Sequence, residues 1–138
     1  MTTADAARLF LRKATQDEAA LVNLAADATI ADEIVGFHAQ QAVEKLLKAV
    51  LVFDGVRVRR THDLAELSDL LTDHGRPMPV DVAAITDLNP FAVDYRYADM
   101  SKNSDTETRL DRPRALRLVQ QVRLWAEACL VVSPPERP

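Results

Sequence analysis

Apolar residues recur at steps of three and four along most of the chain, and no strand-length run of β-branched residues alternates with polar ones. The first such stretch predicts a helix over residues 5–27, with Leu9, Leu21 and Leu24 on one face. The second predicts a helix over residues 31–54, which Gly55 would end as a C-terminal cap. A chain patterned in this way is typical of an all-α protein.

Turn-forming residues divide the remainder of the chain. A third helix is predicted to begin near residue 62, with Thr61 or Asp63 as its N-cap. A shorter helix is predicted over residues 80–88, an irregular polar segment with a short turn near 91–95 follows, and the last helix covers residues 112–131. Long helices joined by short loops predict an all-α, up-and-down bundle of four to five helices. We expect one domain over residues 1–131 and a disordered tail over 132–138.

The second helix contains the stretch "FHAQQAVEKLLKAV" at residues 37–50, which has an unusual number of polar residues. On a helical wheel, one arc collects the side chains of His38, Gln41, Glu44, Lys45 and Lys48. One interpretation is a solvated face with a Glu44–Lys48 ion pair one turn apart. Gln40 projects into the apolar sector, where an unpaired amide costs roughly 1–3 kcal/mol. We therefore expect Gln40 to form a hydrogen bond between helices.

Composition limits the classes of function. The 138 residues carry a net charge of −4, so no overall basic field attracts nucleic acid, although a local basic patch remains open. Cys129 is the only cysteine, which excludes an internal disulfide and a cysteine-based zinc cluster. The first residues show no signal-peptide pattern, and no stretch approaches the ~18 apolar residues of a membrane span. These features predict a cytoplasmic protein that is not held in a membrane.

Three segments together resemble the HEPN family of small helical domains, which are related to the C-terminal helical part of certain bacterial nucleotidyltransferases. The segments are "FHAQQAVEKLLKAVL", "THDLAELSDLL" and "DYRYAD", and the similarity extends over about residues 6–130. The positions that carry it are Phe37, Gln40, Gln41, Ala42, Glu44, Lys45, Lys48 and Ala49, then His62, Asp63 and Leu64, and finally Arg96 and Tyr97.

The resemblance implies a helical bundle, frequently a homodimer, that binds nucleotide or RNA in a polar groove and acts with a nucleotidyltransferase partner. Carried onto this chain, the groove would use Gln41, Lys45, Lys48, His62, Arg96 and Tyr97. Lysines and arginine would hold phosphates, Gln41 would bond sugar or base, and Tyr97 would stack on a base. No glycine-rich phosphate loop is present, and His38 and His74 show no metal-ligand spacing, so we expect neither cofactor nor metal.

Two alternatives remain open. The family also contains metal-independent ribonucleases, including toxins of toxin–antitoxin pairs, with an arginine four to six residues before a histidine; Arg57 and His62 have this spacing. In that case Arg57 would hold the phosphate and His62 would transfer protons near neutral pH. Val58 directly after the arginine and Leu64 two positions after the histidine depart from the toxin pattern, so we favour binding over cleavage. The third possibility is a dimeric scaffold without a ligand.

Overall fold

The computed structural model describes residues 1–92 and 109–131, and within these ranges it contains five α-helices, one 3-10 turn and no strand. The helices are α1 (Thr3–Ala25), α2 (Asp32–Phe53), α3 (Leu64–Asp73), α4 (Val82–Thr86) and α5 (Arg112–Val131). The 3-10 turn, Asn89–Phe91, follows α4. The predicted all-α bundle is confirmed. Most of the turn predicted near residues 91–95, and the tail from residue 132, lie outside the described residues.

Capping side chains determine where the first and third helices begin. α1 begins two residues earlier than predicted because Thr2 and Asp5 form a capping box, in which each side chain accepts the other's backbone N–H at 3.0 Å. The backbone N–H of Thr2 is the main cause that holds the pKa of the Asp5 carboxyl below its ordinary value. Asp63 is the N-cap of α3 and accepts from the backbone N–H of Ala65 at 2.9 Å. The prediction of Asp63 as a cap is confirmed.

The central element of the bundle is α2, which packs against α1, α3, α5 and the 3-10 turn. Neighbours on several sides explain why its apolar arc is so broad. Its fully buried side chains include Val35, Ala39, Val43, Leu47 and Leu51. They share one hydrophobic cluster with Leu21 of α1, Leu67 and Leu71 of α3, Ile85 of α4, and Val119 and Val122 of α5. This packing fixes the position of α2, and therefore of every polar side chain it carries.

Arginines join the ends of the helices. The guanidinium of Arg112, at the start of α5, donates to Asp32 Oδ1 at 2.9 Å and to the carbonyl oxygens of Ala25, Asp27 and Ile30. Arg76, which follows α3, donates twice to the Asp54 carboxylate at the end of α2, both at 2.7 Å. Arg123 of α5 contacts Glu18 of α1 at 2.7 Å. These three guanidinium groups connect the helices and stabilise the fold.

A glycine in α2 permits the close approach of the 3-10 turn. A Cβ at Gly36 would lie 2.3 Å from Cδ1 and 2.5 Å from Cγ of the buried Phe91 ring. Alanine in a helix is favoured over glycine by about 1 kcal/mol. Here we expect Gly36→Ala to lower the free energy of unfolding by about 1–2 kcal/mol, because overpacking outweighs the gain in helix propensity. Urea denaturation measures the change.

A variant that lacks the Phe91 ring tests whether the steric clash with this ring causes the loss of stability. In Phe91→Ala both the ring and Cγ are absent, so adding Gly36→Ala should be neutral or stabilising relative to Phe91→Ala alone. A Gly36→Ala variant more stable than the parent chain would contradict this account of the contact.

Candidate functional site

A buried carboxylate lies in the middle of α2. Glu44 is 4% exposed, and three polar groups converge on it. Its Oε1 accepts from Gln40 Nε2 at 3.0 Å and contacts His62 Nδ1 at 2.9 Å, while Oε2 accepts from Lys48 Nζ at 3.0 Å. Gln40 and Lys48 stand one turn before and after Glu44 on the same helix, whereas His62 comes from the connection between α2 and α3. We call Gln40, Gln41, Glu44, Lys48 and His62 the Glu44 network.

Gln40 joins the network to the backbone. It is fully buried, and its Nε2 also donates to the carbonyl oxygen of His62 at 3.2 Å. Because both neighbours of this nitrogen are acceptors, the amide orientation is fixed, and Gln40 Oε1 accepts from Gln41 Nε2 at 2.8 Å. Gln40 is buried and hydrogen-bonded, as the sequence predicted. Its partners, however, are a side chain of its own helix and the α2–α3 connection, so the prediction of a bond between two helices is wrong.

The interpretation of this arc as a solvated face is only partly correct. The Glu44–Lys48 ion pair is confirmed, but both members are largely buried, with 5% and 13% of their side chains exposed. The side chain of His62, from the α2–α3 connection, lies against Glu44. A helical wheel shows one helix alone and cannot show what covers it.

The imidazole of His62 contacts Glu44 through Nδ1, and most of its side chain is exposed. Its side chain is 65% exposed, although Nδ1 lies against the buried Glu44 carboxylate. Within the described ranges, Nε2 makes no hydrogen bond. The adjacent backbone is fixed by Asn89, whose Oδ1 accepts from the N–H of Leu64 at 3.0 Å and whose Nδ2 donates to Asp63 at 3.1 Å. His62 is therefore a positioned group, and its second ring edge has no partner in the part of the chain that the structure describes.

Lys45 of α2 forms an ion pair with a residue of α1. Its ammonium forms an ion pair with Asp17, and His38 Nδ1 lies 3.1 Å from the same carboxylate. Asp17 is 14% exposed at its side chain, so the pair is largely shielded from water. The sequence analysis missed Asp17, because no local pattern connects residues that are 28 positions apart.

The α2–α3 connection carries three arginines. Arg59 forms a forked ion pair with Glu66, with N···O distances of 2.6–3.0 Å, and this hydrogen bonding holds the pKa of Arg59 above its ordinary value. Arg57 and Arg60 are exposed and make no hydrogen bond or ion pair with residues 1–92 or 109–131. The structure thus places Arg57 and His62 on the same connection without a direct bond between them.

The other predicted site residues do not all fall in the described chain. The structure brings Gln41, Lys48 and His62 together, with Lys45 on the same helix. Arg96 and Tyr97 lie outside the described residues. Within the described part, no three His, Cys, Asp or Glu side chains are grouped so that they could hold a metal ion. Burial raises the pKa of the Cys129 thiol, which favours its protonated form.

Fold and site together define a small all-helical domain with a histidine-bearing polar surface between its second and third helices. The family model for the HEPN domain matches residues 7–129, and the chain belongs to the HEPN family. The resemblance seen in the sequence is therefore confirmed. Comparisons with curated proteins and with solved structures give no match. Among the described helices, none combines the length and the apolar character needed to cross a membrane.

Proposed function

We propose that this HEPN domain binds nucleotide or RNA at the surface formed by α2 and the α2–α3 connection. The observation that carries the proposal is the Glu44 network. Apolar residues of similar volume often stabilise a protein as well as a buried ion pair does, so core packing alone does not explain the network. What the network achieves is to hold the exposed His62 ring and the half-buried Gln41 amide in fixed positions.

The charges near this surface support an anionic ligand. Arg57 and Arg60 are exposed on the connection that carries His62, and no carboxylate of the described residues neutralises them. Cations of this kind attract phosphates locally even though the whole chain is acidic. Lys45 and Lys48 are already paired with carboxylates, so in this proposal they line the surface and the arginines supply the uncompensated charge.

The HEPN resemblance adds two residues of a later segment to the proposal. Arg96 would add a phosphate contact and Tyr97 a stacking face for a base. The same proposal includes a homodimer and a nucleotidyltransferase partner, and its support is what the HEPN resemblance implies. The cytoplasmic location stays a prediction.

Fluorescence anisotropy with a labelled single-stranded RNA of mixed sequence tests the proposal. We expect saturable binding that weakens as salt rises, because phosphate contacts release counterions. Arg60→Ala and Arg96→Ala should each weaken binding by about tenfold, the worth of one charged hydrogen bond. Arg117→Ala, on an exposed part of α5 outside the proposed surface, is the matched control. Equal affinity of all three variants and the parent would contradict the proposal.

A metal-independent ribonuclease is the second candidate. The observation that favours it is an imidazole bound to a carboxylate through Nδ1, with Arg57 five positions earlier. Among the described residues, neither the Nε2 edge of this ring nor Arg57 has a hydrogen-bond partner. His62 would transfer a proton and Arg57 would hold the phosphate. The same RNA, incubated with the protein and a chelator, distinguishes the two candidates. Cleavage that disappears in both Arg57→Ala and His62→Ala would establish the nuclease; intact RNA with saturable binding would favour the binding domain.

A further inference from the structure

The surroundings of His62 Nδ1 determine which hydrogen-bonding group the ring presents to a ligand. Gln40 Nε2 and Lys48 Nζ are both donors, so the Glu44 carboxylate acts as the acceptor for each of its partners. Nδ1 of His62, 2.9 Å from the same carboxylate, then carries its proton and donates as well. In a neutral imidazole one nitrogen donates and the other accepts. When the ring is neutral and Nδ1 holds the proton, the exposed Nε2 is therefore an acceptor.

The arrangement is held from two directions. The Gln40 amide bonds both the Glu44 carboxylate and the His62 carbonyl oxygen, so one buried side chain positions the acceptor and the backbone of the histidine. Gln40 is fully buried and Glu44 is 4% exposed, so water does not compete strongly for these bonds. Lys48 holds the second carboxylate oxygen. The carboxylate cannot turn away from His62 without breaking these contacts.

We propose that Glu44 is a positioning residue that makes His62 Nε2 a hydrogen-bond acceptor, and that His62 therefore takes a ribose 2′-hydroxyl of the ligand and not a phosphate oxygen. The inference rests on the proposed binding of nucleotide or RNA at this surface. A phosphate oxygen is itself an acceptor and cannot bond an acceptor nitrogen, whereas a hydroxyl can donate to it. The 2′-hydroxyl is also the group that distinguishes RNA from DNA. In this proposal Arg57 and Arg60 bind the phosphates.

The first experiment reads the tautomer in the unmodified protein. Long-range ¹H–¹⁵N correlation spectra of the imidazole rings, recorded at the pH of the binding assay, distinguish the two neutral tautomers and the imidazolium ion. His62 is assigned by the signals that disappear in His62→Ala. His74 is an internal reference, because its Nδ1 lies 2.8 Å from the carbonyl oxygen of Leu70, which can only accept. The proposal expects the Nδ1-protonated tautomer at His62; the Nε2-protonated tautomer or the imidazolium would overturn it.

The second experiment compares three strands of one sequence that carry ribose, 2′-deoxyribose or 2′-fluororibose. The fluorinated sugar keeps the pucker of RNA but has no 2′ donor, so it separates the hydroxyl from the shape of the strand. We expect both altered strands to bind the parent protein roughly three- to tenfold more weakly, the worth of one neutral hydrogen bond. In His62→Ala the three affinities should become equal, with binding retained through the arginines.

The outcomes separate this inference from the proposed function. Equal affinity of the three strands for the parent protein would overturn the assignment of the 2′-hydroxyl and leave RNA binding intact. A ribose preference that persists in His62→Ala would also overturn it, because another residue would then read the sugar. Failure of every strand to bind would overturn both proposals.

Discussion

Replacing Glu44 with alanine is expected to lower the free energy of unfolding by about 3–5 kcal/mol, the usual cost of removing one member of a buried charge pair. The substitution removes the acceptor of Gln40 Nε2 and of the Lys48 ammonium, whose side chain is only 13% exposed. It also releases His62 from its contact at 2.9 Å. Urea denaturation followed by far-UV circular dichroism measures the loss.

Two control variants test whether the loss of stability in Glu44→Ala comes from the buried ion pair. Glu66→Ala breaks the exposed pair with Arg59, whose side chain is 73% exposed, and should cost only a small fraction as much. A combined Gln40→Leu, Glu44→Leu, Lys48→Met variant replaces the buried polar groups with apolar ones and should recover most of the stability. If the network exists for ligand binding, this variant folds but binds RNA more weakly than the parent chain does. A Glu44→Ala variant as stable as Glu66→Ala would contradict the network's structural role.

The fold could be predicted because helical periodicity is a local property. The turn residues between the helices, and a cap such as Asp63, act within three or four positions, so the chain itself displays them. Several predicted ends differ by two residues from the observed ones, as at the start of α1, where the capping box of Thr2 and Asp5 decides the outcome, and at the start of α3. These errors moved boundaries but left the bundle unchanged.

The site was less predictable because burial depends on residues that are distant in sequence. Nothing in the local pattern distinguishes Glu44 from a solvated glutamate, since its partner His62 lies 18 positions further along the chain. The pairing of Lys45 with Asp17 depends in the same way on the register of α1 against α2. The family pattern includes Gln40, Glu44 and His62, but the groove predicted from it contained His62 and not Gln40 or Glu44.

The contacts of Arg112 could not be predicted from the sequence either. Removing them should have the second large effect on the free energy of unfolding. Arg112→Ala should lower the free energy of unfolding by about 3 kcal/mol, since a hydrogen bond to a charged group contributes about 1.5–3 kcal/mol and this guanidinium makes several. It donates to Asp32 Oδ1 at 2.9 Å, to the carbonyl oxygen of Ala25 at 3.2 Å and to that of Asp27 at 3.1 Å. Ala25 is the last residue of α1, so the cation also lies at the negative end of that helix.

The geometry of the guanidinium can be separated from its charge. Arg112→Lys keeps a cation near the end of α1 but lacks the planar fork that reaches Asp32 and the carbonyl oxygens together, so it should restore only a minor part of the lost stability. Arg117→Ala, an exposed arginine on the same helix, should leave the urea midpoint nearly unchanged. Hydrogen exchange should become faster in the α1–α2 connection of Arg112→Ala before it does so in the centre of α2. If Arg112→Lys were as stable as the parent chain, the helix dipole and not the fork would account for the whole effect.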